Sequence, residues 1–212
     1  MSGHRFFAAI YDRLMASTED AGLRDMRADL VASASGRTLE LGAGTGLNLG
    51  HYPPGVSELV LTEPDPHMAR RLRSRLEAEP PAAGSSEVVE AGAESLPFED
   101  SSFDTVVSTL CLCTVAEPER VVEEVARVLR PGGRLLYIEH VRSDDTRVAR
   151  WQDRLERPWG WLAAGCHPNR DTAATLSASG LEAAEQEQGE LPKAPPIVKP
   201  LIRGEARLAQ AP

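Results

Sequence analysis

Glycines at positions 42, 44 and 46 and a carboxylate at 63 carry the clearest chemical signal in this chain. The stretch Glu40-Leu41-Gly42-Ala43-Gly44-Thr45-Gly46 follows directly on a short apolar run. Glycine tolerates positive φ and lets backbone N–H groups approach a ligand closely. Glu63 ends the next apolar run, Leu59-Val60-Leu61-Thr62. In open parallel sheets an acid at about this spacing reaches ribose hydroxyls, and the two oxygens of a carboxylate accept from both. Asp65 competes for that role, but its place before Pro66 assigns it to capping a helix. Taken alone, the glycine turn has a second reading as a tight strand-to-helix connection; its pairing with Glu63 points to a nucleoside site.

The elements that must hold these residues alternate between strand and helix. Residues 18–32 read as one helix, with Leu23, Met26, Leu30 and Val31 on one face. Strands are expected over 37–41, 59–62, 87–90, 103–108 and 134–141. The helix that Asp65 caps buries Met68, Leu72 and Leu76, and residues 118–129 give a second, strongly amphipathic helix that Arg130-Pro131-Gly132-Gly133 stops. A helix carrying Trp151, Trp159 and Trp161 follows, then one near 171–179 and two final strands joined by the proline-rich Leu191–Pro196 segment. This alternation predicts right-handed βαβ units and a parallel sheet covered on both faces, with an antiparallel hairpin at the end.

The glycine spacing separates the ligand classes that share this layout. Dinucleotide sites use G-x-G-x-x-G, which asks for glycine at position 47, where this chain has leucine. The G-x-G-x-G form instead suits a turn facing the amino-acid portion of S-adenosylmethionine. No Gly-Lys-Ser/Thr follows, which removes the phosphate-loop reading. Leu39–Gly46 resembles the first motif of class I S-adenosylmethionine-dependent methyltransferases. Leu96-Pro97-Phe98-Glu99-Asp100-Ser101-Ser102-Phe103-Asp104 and Val128-Leu129-Arg130-Pro131-Gly132-Gly133 resemble later motifs of the type 11 group. His51-Tyr52-Pro53-Pro54-Gly55, Thr109-Leu110-Cys111-Leu112-Cys113 and Ile138-Glu139-His140-Val141 are similar to the methyltransferase-like thiol S-methyltransferases. Quinone and phosphatidylethanolamine methyltransferases resemble the core as well.

The resemblance implies a Rossmann-like α/β fold, a doubly wound sheet of seven strands with the last antiparallel. It implies S-adenosylmethionine as cofactor and a small-molecule acceptor: a thiol, or alternatively a quinone, a phospholipid amine or another N, O or C nucleophile. By position, Gly42, Ala43, Gly44 and Gly46 meet the methionine portion with Glu40 nearby, and Glu63 holds the ribose. Ala93 and Glu94 read the adenine edge, although Gly92 stands where many relatives have Asp, and Met68 is either an adenine contact or core. Thr109 and Leu110 line the methyl-transfer side. Methyl transfer is an in-line displacement in which the cofactor supplies the activated group, so the protein mainly aligns reactants, and no catalytic triad is required.

His140 is the candidate general base, since an unperturbed imidazole titrates near neutral pH; the alternative is a strand-end histidine bonded to backbone. Tyr11, Cys111, Trp151, His167 and Arg170 are candidate acceptor contacts. Tyr11 and the Phe6-Phe7 pair would close over the cofactor from an N-terminal helix. Cys111 and Cys113, at alternate positions, are expected on one face as small buried apolar groups.

Composition bounds the rest. The 212 residues with 42% hydrophobic content support one domain: a helical cap over 1–35, a cofactor core over 36–141 and acceptor-side elements over 142–212. A net charge of −9 argues against a nucleic-acid partner, which needs excess cations. Three cysteines without a C-x-x-C pair predict neither zinc nor a disulfide framework, but reduced thiols in a cytoplasmic enzyme. The thiol S-methyltransferases carry a hydrophobic N-terminal anchor that MSGHRFFAAIYDRLMAST does not match, so no integral membrane segment is expected. A nicotinamide-dependent oxidoreductase and a non-catalytic cofactor-binding protein are the competing classes. Oligomeric state is not legible in the sequence.

Overall fold

The computed structural model describes residues 4–208, with side chains from Ala8 onward. Seven strands form one sheet in the order β3-β2-β1-β4-β5-β7-β6. They are β1 (Gly36–Leu41), β2 (Val56–Thr62), β3 (Ser86–Val89), β4 (Phe103–Thr109), β5 (Leu129–His140), β6 (Leu181–Glu190) and β7 (Pro200–Leu208). β1 through β5 pair in parallel, and β7 runs antiparallel between β5 and β6. The strands carry near-continuous apolar runs because both faces are covered. Val60, Val106 and Leu135 face one core layer, and their neighbours Leu61, Val107 and Leu136 face the other.

The helices are α1 (His4–Thr18), α2 (Arg24–Val31), α3 (Pro66–Ala78), α4 (Pro118–Val128), α5 (Thr146–Leu162) and α6 (Thr172–Ala178). Asp65 caps α3 as expected, accepting from the backbone N–H groups of His67 and Met68. On α4 the buried residues are Val121, Val122, Val125 and Val128, one apolar stripe against the sheet.

Three local expectations change. The single helix over 18–32 is broken: Gly22 has φ +134° inside a five-residue π-turn, Glu19–Leu23, so α1 and α2 are separate. Strand β5 begins at Leu129, because the Arg130–Gly133 turn is drawn into the sheet beside Phe103. Of the three tryptophans on α5, Trp159 packs on the core, against Cys113, Cys166 and Ile197, whereas Trp161 and Trp151, a candidate acceptor contact, are exposed.

Candidate active site

The chain runs from β1 outward through β2 and β3, then returns to add β4 and β5 on the other side of β1. The carboxyl ends of β1 and β4 therefore flank a topological switch point, where ligands bind in such sheets. A cavity of about 330 Å³ lies there.

At one end of the cavity stands the glycine turn. Gly42, Gly44 and Gly46 all have positive φ, at 56°, 59° and 85°. A Cβ at Gly42 would come within 2.8 Å of Cys111 Sγ, and one at Gly46 would strike Leu49 and Leu72. Only glycine fits those two positions. Glu63, almost fully buried, accepts the Gly44 N–H on Oε2 and the Asp65 N–H on Oε1, both at 2.9 Å. Each carboxylate oxygen is thus fixed by a backbone donor.

Behind the turn lies a buried polar network. Glu40 accepts from the Asn48 side-chain amide at 2.9 Å and from the Tyr52 hydroxyl at 2.7 Å. Asn48 also donates to Thr109 Oγ1 and accepts from Arg27, which in turn pairs with Glu19. Burial raises the Glu40 carboxyl to about 7, against hydrogen bonds from Tyr52 and Asn48 and the charge of Arg27. α1 is tied to the same turn: the Thr45 hydroxyl donates to Asp12, whose other oxygen accepts from Arg75.

The adjoining wall comes from the loop after β4. Leu110 has φ +56°, a conformation costing a leucine on the order of 1–3 kcal/mol. Glu139 stabilises that loop from beneath, accepting from the Ser108 hydroxyl and the backbone N–H groups of Cys111 and Cys113. Its own carboxyl is pushed up by burial.

A methyltransferase domain model matches residues 39–137, which span the glycine turn, the Glu63 region and most of β5. The human thiol S-methyltransferase TMT1A is 32% identical over 201 residues, covering 94% of this chain and 82% of that protein. This chain belongs to the class I S-adenosylmethionine-dependent methyltransferases. A phosphatidylethanolamine N-methyltransferase of Cereibacter sphaeroides is 35% identical over 156 residues, 72% of this chain and 75% of that one. A solved S-adenosylmethionine-dependent methyltransferase of Thermotoga maritima shares the fold with a TM-score of 0.67 at 23% identity, covering 96% of this chain and 98% of that one.

The methyltransferase uses S-adenosylmethionine, and the cavity fits it: glycines that admit no side chain, and beside them a carboxylate braced by backbone N–H groups. Of the residues singled out from sequence, Tyr11, Gly42, Gly44, Glu63, Ala93, Glu94, Leu110 and Cys111 line the cavity. Glu40, Ala43, Gly46 and Thr109 sit buried behind that wall. Cys111 and Cys113 do not share a face. Cys111 turns to Gly42, whereas Cys113 meets Cys166 with the sulfurs 3.9 Å apart.

The remaining candidates lie off the cavity wall. His140 is buried, its Nδ1 lacks a partner among the described residues, and burial lowers its pKa to about 4 against a backbone hydrogen bond at Pro200. It is therefore neutral and weakly basic at neutral pH, not the near-neutral base expected from an unperturbed imidazole. His167 faces Glu156 at 2.9 Å, and Arg170 donates to the carbonyls of Leu112 and Val115, bracing the loop after β4. Trp151 is 54% exposed on the outer face of α5. The side chains of Phe6 and Phe7 lie outside the described residues.

Sequence reasoning missed Thr114, Val115, Ala116, Ala163 and Ala164 as cavity residues. Small and ordinary side chains on loops carry no chemical signature. It also missed the Arg27–Asn48–Glu40 network; an arginine at a core position of α2, four residues after Leu23, was the available signal.

Proposed function

We propose that this methyltransferase transfers a methyl group to a small thiol. The observation that carries the reading is the acceptor end of the cavity. Tyr11, Leu110, Cys111, Val115, Ala163 and Ala164 form it, and no histidine, lysine or arginine lines the cavity among the described residues. The described part of that wall holds no strong base, which suits an acceptor that ionises readily, and thiols do so at about pH 8.5. An apolar, water-poor surround also favours reaction between a thiolate and a cation, because charge is lost. The similarity to a thiol S-methyltransferase supports the same acceptor class.

Bound S-adenosylmethionine supplies the activated methyl group. In this reading the turn at Gly42, Ala43, Gly44 and Gly46 accommodates its methionine portion, supported from behind by Glu40. Glu63 accepts the ribose hydroxyls, while Ala93, Glu94 and Met68 border the adenine. Glu94 Oε1 accepts the Ala116 N–H at 2.9 Å, tying this border to the loop after β4. Thr109 and Leu110 set the floor on the transfer side, and Tyr11 closes the cavity from α1. Residues 1–212 act as one methyltransferase domain, with 1–35 as cap. The three cysteines and the thiol chemistry fit a reducing, cytoplasmic setting.

Calorimetric titration with S-adenosylmethionine and S-adenosylhomocysteine, in wild type and Glu63→Ala, tests the cofactor site. Losing two hydrogen bonds to a charged acceptor weakens both ligands by roughly a hundred- to ten-thousandfold. Unchanged affinity in the variant overturns the role of Glu63. Methyl transfer to a panel of alkyl and aryl thiols, amines, phenols and quinols tests the acceptor. Transfer to thiols, faster as pH rises toward thiol ionisation, is expected; transfer confined to amines or quinols defeats the thiol reading.

A further inference from the structure

α5 has two unlike faces. Gln152 is fully buried on the inner one, where its side-chain amide donates to the carbonyls of Val141, Pro168 and Ile197 and its oxygen accepts the Ser143 N–H. The acids of the helix are occupied: Asp153 pairs with Arg142 and Asn169, and Glu156 with His167. The outer face repeats at three- and four-residue steps through Arg147, Arg150, Trp151, Arg154, Arg157, Trp161 and Leu162, all exposed. Trp161 is 88% and Leu162 65% exposed, among the largest apolar groups left open on the described chain.

None of the four arginines has an ion-pair partner among the described residues, and Arg154 rests 5.7 Å from the centre of the Trp151 ring. In a chain of net charge −9, four uncompensated cations on one helix face are a local arrangement rather than an average of composition. Indoles settle at the boundary between headgroups and acyl chains, and guanidinium groups beside them meet lipid phosphates.

We propose that this face of α5 seats the enzyme on an anionic lipid surface. The arginines supply attraction, and Trp161 with Leu162 supplies insertion. An acidic protein would match the charge but offers no reason for a tryptophan and a leucine to stand open at the helix end. The next residues, Ala163 and Ala164, line the cavity. A seated α5 therefore brings the acceptor end of the cavity to the lipid surface, where apolar acceptors concentrate.

Cosedimentation of the full chain with vesicles of phosphatidylcholine, and of an equimolar phosphatidylcholine–phosphatidylglycerol mixture, tests this. Binding to the second only, weakened by salt and accompanied by a blue shift of tryptophan emission, is expected. Arg150→Gln with Arg154→Gln should weaken binding by about twenty-five-fold, at about fivefold per arginine near an anionic surface. Trp161→Ser with Leu162→Ser should abolish the blue shift. Retained affinity for S-adenosylmethionine shows that each variant is folded. No binding by the folded wild type at low salt, equal binding by the variants, or binding to polyglutamate but not to vesicles overturns the proposal.

Discussion

His140 and Glu40 are buried titratable groups whose pKa values move in opposite directions for one reason, the loss of water around the charged form. His140 falls from 6.5 to about 4, so below pH 6.5 the unfolded chain binds a proton that the folded chain refuses. Its contribution is whole above pH 6.5 and declines by about 3 kcal/mol as the pH drops to about 4. Glu40 rises from 4.5 to about 7, so the folded chain holds a proton that the unfolded chain releases. That contribution is whole below pH 4.5 and is lost, again by about 3 kcal/mol, as the pH rises to about 7. The two offset one another in wild type. Urea unfolding across this pH range should therefore give opposite slopes in the variants. His140→Gln loses stability as pH rises, and Glu40→Gln loses it as pH falls. Parallel slopes would contradict the assigned shifts. Residue identity and spacing made Glu63 legible as a residue of the cavity. They did not reveal the state of His140, because a pKa depends on what surrounds the ring rather than on its place at a strand end.

Strands and caps were the most legible elements, since a parallel strand writes itself as an apolar run and Asp65-Pro66 names its own helix start. The break between α1 and α2 was hidden because Leu23, Met26, Leu30 and Val31 all follow Gly22, so their helical spacing carries no mark of it. Tight contact between elements was also hidden. The glycine turn touches the loop after β4 through Gly42 and Cys111, and that contact predicts a coupled pair. Gly42→Ala adds a methyl within 2.8 Å of Cys111 Sγ at positive φ, and should destabilise the fold by about 2–4 kcal/mol. Adding Cys111→Ala removes the sulfur and should relieve the clash, leaving a residual φ cost of about 1–3 kcal/mol. Additive losses in the double variant would show that the two elements are not in contact.

At the scale of the molecule, the charged side chains that line the cavity among the described residues are Glu63, Asp65 and Glu94, all acidic, within a chain of net charge −9. Both the local and the long-range field disfavour an acceptor that carries a negative charge beyond its reacting sulfur. A carboxylate-bearing thiol should show kcat/KM at least about tenfold below that of a neutral thiol of equal size, and added salt should narrow the gap. Equal kcat/KM for the two thiols, independent of salt, would indicate a cation contributed by groups outside the described wall.

Cys113 and Cys166 join the loop after β4 to the segment following α5, and both sulfurs are shut away from solvent. Their shared hydrogen bond raises the thiol of Cys113 and lowers that of Cys166, so Cys166 is the readier nucleophile once reached. An alkylating reagent in solution can reach it only during moments when these two segments part. The pair thus works as a built-in stopwatch. The rate at which iodoacetamide consumes it counts how often the acceptor side of the cavity opens, and a ligand that holds that side shut slows the count.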